Sequence, residues 1–153
     1  MSDLQKVKDW LKTYPGTAAK PGFPDDEFYI DFTHNDPANA GLFPHGIQEI
    51  GRRSDICGNT TVSCQYNFTL VPVFTKVARE HEIATQNAEW MMDFQQWIQE
   101  QSIRTQAPVF GDIDTDSEVI RAQNGMYLND RDNGVGAYTV VLTIQFKKYY
   151  KGD

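Results

Sequence analysis

The stretch NTTVSCQYNFTL, residues 59–70, alternates apolar and polar side chains without a break. The apolar positions are Val62, Cys64, Tyr66, Phe68 and Leu70. The polar positions are Thr61, Ser63, Gln65, Asn67 and Thr69. A period of two is typical of a β-strand that buries one face. The polar face carries no charge, although 23% of the chain is charged, so the pattern raises the question of what this face contacts.

A second strand near the end of the sequence has the same character. Residues 118–128 and 137–149 are predicted to form a hairpin around the turn signal Asp132-Asn133-Gly134. The side chains expected to point inward are Tyr138, Val140, Leu142, Ile144 and Phe146. Those expected to point outward are Thr139, Val141, Thr143, Gln145 and Lys147. The outward face is therefore again almost free of charge until its end.

The remaining elements are predicted from periodicity and turn signals. Helical spacing of apolar residues indicates helices over 2–14 and 76–103. Further strands are predicted at 28–32, 47–56 and 60–71, and residues 15–46 include long loops rich in proline and glycine, with a connection over 33–46. The order helix-β-β-β-helix-β-β predicts one α+β domain over 1–153. Its mainly antiparallel sheet of about five strands would be packed on one face by two helices.

Composition limits the classes of function. The 153 residues carry 14 basic and 21 acidic side chains, a net charge of −7, which argues against specific nucleic-acid binding and favours a soluble chain. There is no apolar run of about 18 residues, so no membrane-spanning helix is expected. The opening MSDLQKVKDW lacks the apolar block of a signal peptide, which predicts a protein kept in a cytoplasm. Two cysteines do not form a disulfide framework.

No metal site is predicted around the histidines. His34 and His45 share a turn-rich loop with Asp36, but their spacing is irregular and no cysteine pair joins them. His81-Glu82 begins like a zinc-protease motif, yet residue 85 is Thr85 where a second histidine would be needed. Polar loop residues are the simpler interpretation.

A short acidic loop at 111–118 resembles the start of a calcium-binding loop. It carries aspartates at alternate positions, Asp112, Asp114 and Asp116. Ser117 stands where such a loop needs glycine, and Gln123 stands where it needs glutamate. We therefore predict a solvated acidic turn and no resident cofactor, with incidental binding of a divalent ion left open.

No catalytic residue is predicted either. The sequence has no nucleophile-elbow, P-loop or dinucleotide-binding motif. Cys64 alternates with core residues and is expected to be buried and inert, whereas Cys57, near Arg52 and Arg53, is a weak candidate for a reactive thiol. An enzyme whose carboxylate pair forms only in the folded chain remains a third alternative.

An aromatic stripe lies on the second predicted helix. Trp90, Phe94 and Trp97 recur at helical spacing, which is typical of the face of a helix that is buried in a core. The alternative is that these rings wall a pocket, and the protein would then be a small-molecule-binding or regulatory α+β domain.

The uncharged strand faces are interpreted as a subunit interface. Exposed sheets usually carry lysine and glutamate, partly to prevent association, whereas neutral hydroxyl and amide groups are less costly to bury when hydrogen-bonded. Depletion of charge is typical of interface cores. The alternative is a solvated face that uses threonine for its β propensity. The predicted interface residues are Thr61, Ser63, Gln65, Asn67, Thr69, Thr139, Val141, Thr143 and Gln145.

Four segments also resemble a known family. They are LKTYPG at the end of the first helix, SCQYNFTLV, MMDFQQWIQEQSIRTQAPVFGD, and NGMYLNDRDNGVGAYTVVLTIQFKKYY. The most specific part is F-x-x-W-I-x-E-Q, followed by Pro108 and then by G-x-Y-L-x-D. The chain in these segments resembles the small tail-terminator or minor capsid (tail completion, head–tail joining) proteins of long-tailed phages and Gram-positive prophages. The likeness covers most of the chain from residue 47 onward, and the loop at 15–46 departs from it.

The resemblance implies a non-enzymatic structural protein in virion assembly. It implies a homo-oligomeric ring, hexameric in the family's better-known members, at the head-proximal end of the tail tube. Its partners would be its own copies, the tail-tube protein and the head connector, first in the host bacterial cytoplasm and then in the virion at the head–tail junction. The expected docking or lumen residues are Asp112, Asp114, Asp116, Asp130, Arg131 and Asp132.

Overall fold

The structure is a computed structural model that describes residues 2–15, 29–30, 39–75, 81–131 and 135–152. For residues 29–30, 39, 73–75, 81–85, 124–131 and 135–136 it describes the backbone alone. The helices are α1 (Asp3–Leu11) and α2 (His81–Ile103), with a 3-10 turn at Thr115–Ser117. The strands are β1 (Tyr29–Ile30), β2 (Asn39–Ser54), β3 (Thr60–Thr75), β4 (Val119–Arg131) and β5 (Val135–Tyr150).

The described strands form one sheet in the order β1-β2-β3-β5-β4. The four long strands are antiparallel to their neighbours, while the two-residue β1 pairs with β2 in parallel. The alternation seen in the sequence places Phe68, Leu70, Leu142 and Ile144 in a hydrophobic core that α1 and α2 complete on one side of the sheet. The predicted α+β class with an antiparallel sheet is confirmed.

Strand β2 begins earlier than the sequence indicates. Residues 39–44, assigned above to a connection, pair with β3. The register shifts between Pro44 and Ile47, and Gly46 adopts a left-handed φ of 83° there. A bulge accommodates both a proline, which lacks an N–H donor, and a glycine with positive φ. The turn signals at Pro44 and Gly46 therefore mark a bulge within a strand.

Strand β3 also runs past the predicted end at residue 71, although residue 72 is a proline. β3 is a central strand and continues to Thr75. Pro72 lies opposite Ala40 of β2, but the pairing with β5 skips residues 71 and 72 and resumes at Val73. Proline removes one ladder hydrogen bond, and the neighbouring pairs on both sides hold the register.

Helix α1 is shorter than predicted because its last turn tightens. Ser2 caps the start, since its Oγ accepts a hydrogen bond from the Gln5 amide at 3.2 Å. Beyond Leu11 the backbone hydrogen bonds join residues three positions apart. The Thr13 amide donates to the Trp10 carbonyl at 2.9 Å, and the Tyr14 amide donates to the Leu11 carbonyl at 3.2 Å. This tighter turn directs Tyr14 back into the core, where it is 7% exposed.

The two helices meet through aromatic rings. Trp10 of α1 stacks on Trp97 of α2 with 5.3 Å between ring centroids, and the Tyr14 ring meets Phe94 edge-on at 5.3 Å. Trp90 and Phe94 are stacked in parallel at 5.6 Å. Trp90 and Phe94 are buried and Trp97 packs against the same cluster. The interpretation of the stripe as core is confirmed; residues 76–80 of the predicted helix lie outside the described residues.

We expect stability to fall above pH 10 because two tyrosines are held neutral. Burial, and then the nearby Asp93, raises the pKa of Tyr14 to about 12. Burial also raises the pKa of Tyr66, whose hydroxyl donates a hydrogen bond to Asp3 Oδ2 at 2.5 Å. Above pH ~10 the unfolded chain loses these protons first, so unfolding releases protons and becomes easier. The Tyr14 contribution is present below pH ~10 and is lost as pH rises towards 12.

Urea titrations between pH 8 and pH 11 measure this effect. For Tyr14 the free energy of unfolding should fall by at most roughly 1.4 kcal/mol per pH unit above pH 10. Tyr14→Phe should flatten the pH dependence, and Tyr66→Phe should flatten it further. Equal slopes for the wild type and Tyr14→Phe would show that the Tyr14 hydroxyl titrates normally in the folded protein.

Candidate interface on the outer face of the sheet

The side of the sheet that faces away from α1 and α2 is called here the outer face. Cys64, Phe68 and Leu70 of β3 pack on the other side, in the cluster that includes both helices. Their polar neighbours therefore lie on the outer face, and β3 and β5 align so that Gln65 lies opposite Gln145. The structure places on this face all nine predicted residues, Thr61, Ser63, Gln65, Asn67, Thr69, Thr139, Val141, Thr143 and Gln145. Coverage of the face by a partner stays a prediction.

The amides of the outer face bond to one another. Gln145 Nε2 donates to Gln65 Oε1 at 3.0 Å, and Gln65 Nε2 donates to Asn67 Oδ1 at 2.7 Å. The nine residues are half-buried, because neighbouring strands shield them while no described helix crosses the face. Part of their hydrogen-bonding capacity is thus already satisfied within the chain, which lowers the cost of removing water from them.

Strands β2 and β4 widen the outer face beyond the predicted residues. Gln48 of β2 lies opposite Gln65, and Val119 of β4 lies opposite Gln145. His45 of β2 belongs to the face as well, since its Nε2 lies 2.7 Å from Thr69 Oγ1. The sequence did not indicate the β2 residues because two register shifts interrupt their period.

A small apolar patch closes one end of the outer face. Val71 and Ala137 are 6% and 0% exposed, and Phe43 packs against them. This cluster is separate from the main core and lies opposite the helices, because Phe43 pairs with Thr69. Val71 and Ala137 are already buried within the single chain, so the accessible part of the outer face is its neutral polar centre.

Charge on the outer face is sparse and of one sign. Arg53 lies opposite Thr61, and Arg121 lies opposite Thr143. Lys147 lies near the end of the outward row on β5, where its Nζ lies 3.4 Å from Asp114 Oδ2 of the adjoining loop. By register, no carboxylate projects from the described side chains of this face. The described cations therefore lie in the half of the outer face remote from the apolar patch, and Lys147 among them is already paired.

The acidic loop at 111–118 uses three of its four carboxylates to hold its own conformation and its position beside β5. Asp112 Oδ1 accepts a hydrogen bond from the Tyr149 amide at 2.6 Å. Glu118 accepts two, from the Phe110 and Gly111 amides, both at 2.9 Å. In the described part of the chain, no group of three or more histidine, cysteine or acidic side chains is arranged to hold a metal ion. Asp112, Asp114 and Asp116 are exposed, so docking through them remains a prediction.

The second predicted docking segment, the turn at 129–134, is not described in the same detail. The side chains of Asp130 and Arg131, and the whole of Asp132, lie outside the described residues. A role for these residues in docking or in lining a lumen therefore stays a prediction.

We expect Gly111→Ala to destabilise the loop strongly. A Cβ at Gly111 would lie 2.3 Å from the Lys147 carbonyl oxygen and 3.0 Å from its amide nitrogen. Backbone atoms cannot yield cheaply, so the free energy of unfolding should fall by about 1–3 kcal/mol. Gly51→Ala is the control, because nothing lies within 4 Å of its Cβ and the change should stay within about 0.5 kcal/mol. Urea denaturation compares the two, and equal effects would contradict the close packing.

The aromatic rings do not line the described concave sites, although a pocket wall was the alternative interpretation of the stripe. Three concave sites, of about 450, 420 and 150 Å³, lie among the described residues. The first lies between α2 and β4 and includes Gln95 and Ile120, and the second includes Ile47 and Tyr150. Trp90, Phe94 and Trp97 line none of the three, since their rings pack against one another and against Trp10 and Tyr14.

The two cysteines differ in accessibility. Cys64 is 6% exposed, as predicted, and burial, followed by the nearby Glu49, raises the pKa of its thiol. Cys57 is free and exposed in the turn between β2 and β3. Cys64 is thus a poor nucleophile at neutral pH.

Comparison with known families and proteins adds no assignment. No family model matches the chain, and no curated protein matches it. None of the described helices is long and apolar enough to cross a membrane. The function proposed below therefore depends on the outer face.

Proposed function

We propose that the protein is a non-enzymatic structural protein of long-tailed phages or prophages, a tail terminator or minor capsid (head–tail joining) protein. Its copies form a ring at the head-proximal end of the tail tube. The observation that carries the proposal is the outer face, a continuous neutral layer that no described helix covers. The four sequence segments that resemble this family indicate which kind of assembly the protein would belong to.

The energetics of the outer face favour a protein partner over bulk water. A sheet packed by helices on one side leaves the other side to solvent or to another molecule. Solvated faces usually carry lysine and glutamate to prevent association, whereas this one has hydroxyls, amides and valine at its centre. Stable contacts need roughly 800 Å² per partner. Four strands of 13–16 residues at a spacing of about 4.8 Å cover an area on that order.

A ring gives this face a mechanical role. Identical subunits that contact one another through two different surfaces close into a ring when the rotation per step permits it. One side of the ring would stop growth of the tail tube, and the other would receive the head connector. The exposed loop at 111–118 supplies the docking candidates Asp112, Asp114 and Asp116.

Electron microscopy of tail tubes tests the proposal. The protein is mixed with the tail-tube protein encoded in the same gene cluster, and tube lengths and tube ends are recorded. We expect rings at one end of each tube and an arrest of elongation. A protein that stays monomeric at every concentration and binds no tube would refute the proposal.

A further inference from the structure

The exposed side of α2 carries the opposite charge from the outer face. The described side chains of α2, residues 86–103, include Glu89, Asp93 and Glu100 and no lysine or arginine. Glu100 pairs with Arg104 just beyond the helix at 3.2 Å. Glu89 and Asp93 are exposed and make no ion pair with described residues. Two uncompensated carboxylates therefore lie one helical turn apart on this surface.

The outer face carries unpaired charges of the opposite sign. Arg53 and Arg121 are exposed, and neither makes an ion pair with the described residues. Two copies that met outer face to outer face would bring only cations together, and juxtaposed like charges disfavour association. The partner surface is thus expected to be neutral or acidic.

The β4 edge of the sheet is partly blocked against another strand. The Ile120 amide donates a hydrogen bond to Ser102 Oγ at 3.0 Å, and Gln95 Nε2 donates to the Ala122 carbonyl at 3.2 Å. Side chains of α2 thus occupy backbone groups that an added strand would need. At this edge the chain favours association through its face over extension of its sheet.

We infer that the outer face of one copy docks on the exposed side of α2 of the next copy. Arg121 would approach Glu89 and Asp93, and Met92, which is 60% exposed, would add apolar contact beside those carboxylates. Arg53 lies roughly 25 Å from Arg121 by register, so it adds to the positive charge of the face without touching the same carboxylates. The two surfaces differ and lie on opposite sides of the molecule, so the contact is head-to-tail and repeats. The inference rests on the proposed ring and names the surfaces that build it.

Charge reversal in two separate chains tests this pairing. The first chain carries Arg53→Glu and Arg121→Glu, and the second carries Glu89→Lys and Asp93→Lys. At low salt each variant alone should assemble at least about tenfold more weakly than the wild type. An equimolar mixture should assemble again, because each altered sheet face meets an altered helix and each unaltered face meets an unaltered helix. Native mass spectrometry detects the mixed particles, or electron microscopy counts them on tube ends if assembly requires a tube.

The outcomes separate the inference from the proposed function. Assembly of both single variants at wild-type strength, or a mixture that stays dissociated, overturns the pairing of these two surfaces. Failure of the wild type to assemble or to bind tubes overturns the proposed function and the inference with it. Asp9→Lys on α1, outside both surfaces, is the charge-reversal control and should assemble normally.

Discussion

Replacing Phe94 by alanine should lower the free energy of unfolding by about 3–5 kcal/mol. Phe94 is 1% exposed and lies where the two helices meet. Its ring centroid lies 5.3 Å from that of Tyr14, 5.6 Å from Trp90 and 6.3 Å from Trp97. Alanine would leave a cavity among rigid rings that cannot collapse into it, so the loss includes both the transfer of the ring and the lost contacts.

Met92 on the same helix is the matched control. It is 60% exposed, so Met92→Ala should change the free energy of unfolding by no more than about 0.5 kcal/mol. Urea denaturation followed by circular dichroism measures both variants. A loss below about 1 kcal/mol for Phe94→Ala would show that the aromatic cluster does not hold α1 to α2.

Replacing Gln65 by glutamate should abolish assembly while the chain still folds. Gln65 lies at the centre of the outer face, between Gln48 of β2 and Gln145 of β5. In the free chain the carboxylate reaches water, and the lost hydrogen bonds cost about 0.5–1.5 kcal/mol each. Within a contact the same charge would be buried against the acidic side of α2 without a cationic partner, at about 3–5 kcal/mol. The dissociation constant should therefore rise by roughly 100-fold or more.

The control for Gln65→Glu is the same substitution at Gln5. Gln5 is exposed in the first turn of α1, three residues after the capping Ser2, where a glutamate suits a capping box and the helix dipole. Sedimentation velocity of both variants, alone and with tail tubes, gives the result. Equal assembly of Gln65→Glu and Gln5→Glu would mean that the centre of the outer face stays in water.

The sequence predicts the outer face best where its period is uninterrupted. β3 and β5 alternate over their central residues, so the burial of Phe68 and Ile144 and the outward position of Gln65 and Thr143 follow from spacing alone. β2 could not be predicted in the same way, because Pro44 sits beside a bulge and breaks the alternation. Arg53 was missed as part of the outer face for this reason.

Contacts between distant parts of the chain are not encoded in local spacing. The Gln145–Gln65 hydrogen bond joins residues 80 positions apart, and the Tyr66–Asp3 bond joins residues 63 apart. The blocking of the β4 edge by Ser102 and Gln95 also depends on how α2 crosses the sheet. Such features require the three-dimensional arrangement, and they decide which surfaces remain available for assembly.

Accessibility of one side chain on the outer face tests the central claim most directly. Cysteine is placed at Thr143 in a Cys57→Ser background, where the native Cys64 is buried, and maleimide labelling is compared between free and assembled protein. Gln5→Cys in the same background is the reference on α1. The account predicts that Cys at Thr143 reacts in the free chain and is protected in the assembly, while the reference reacts in both. Equal labelling at Thr143 in both forms would contradict it.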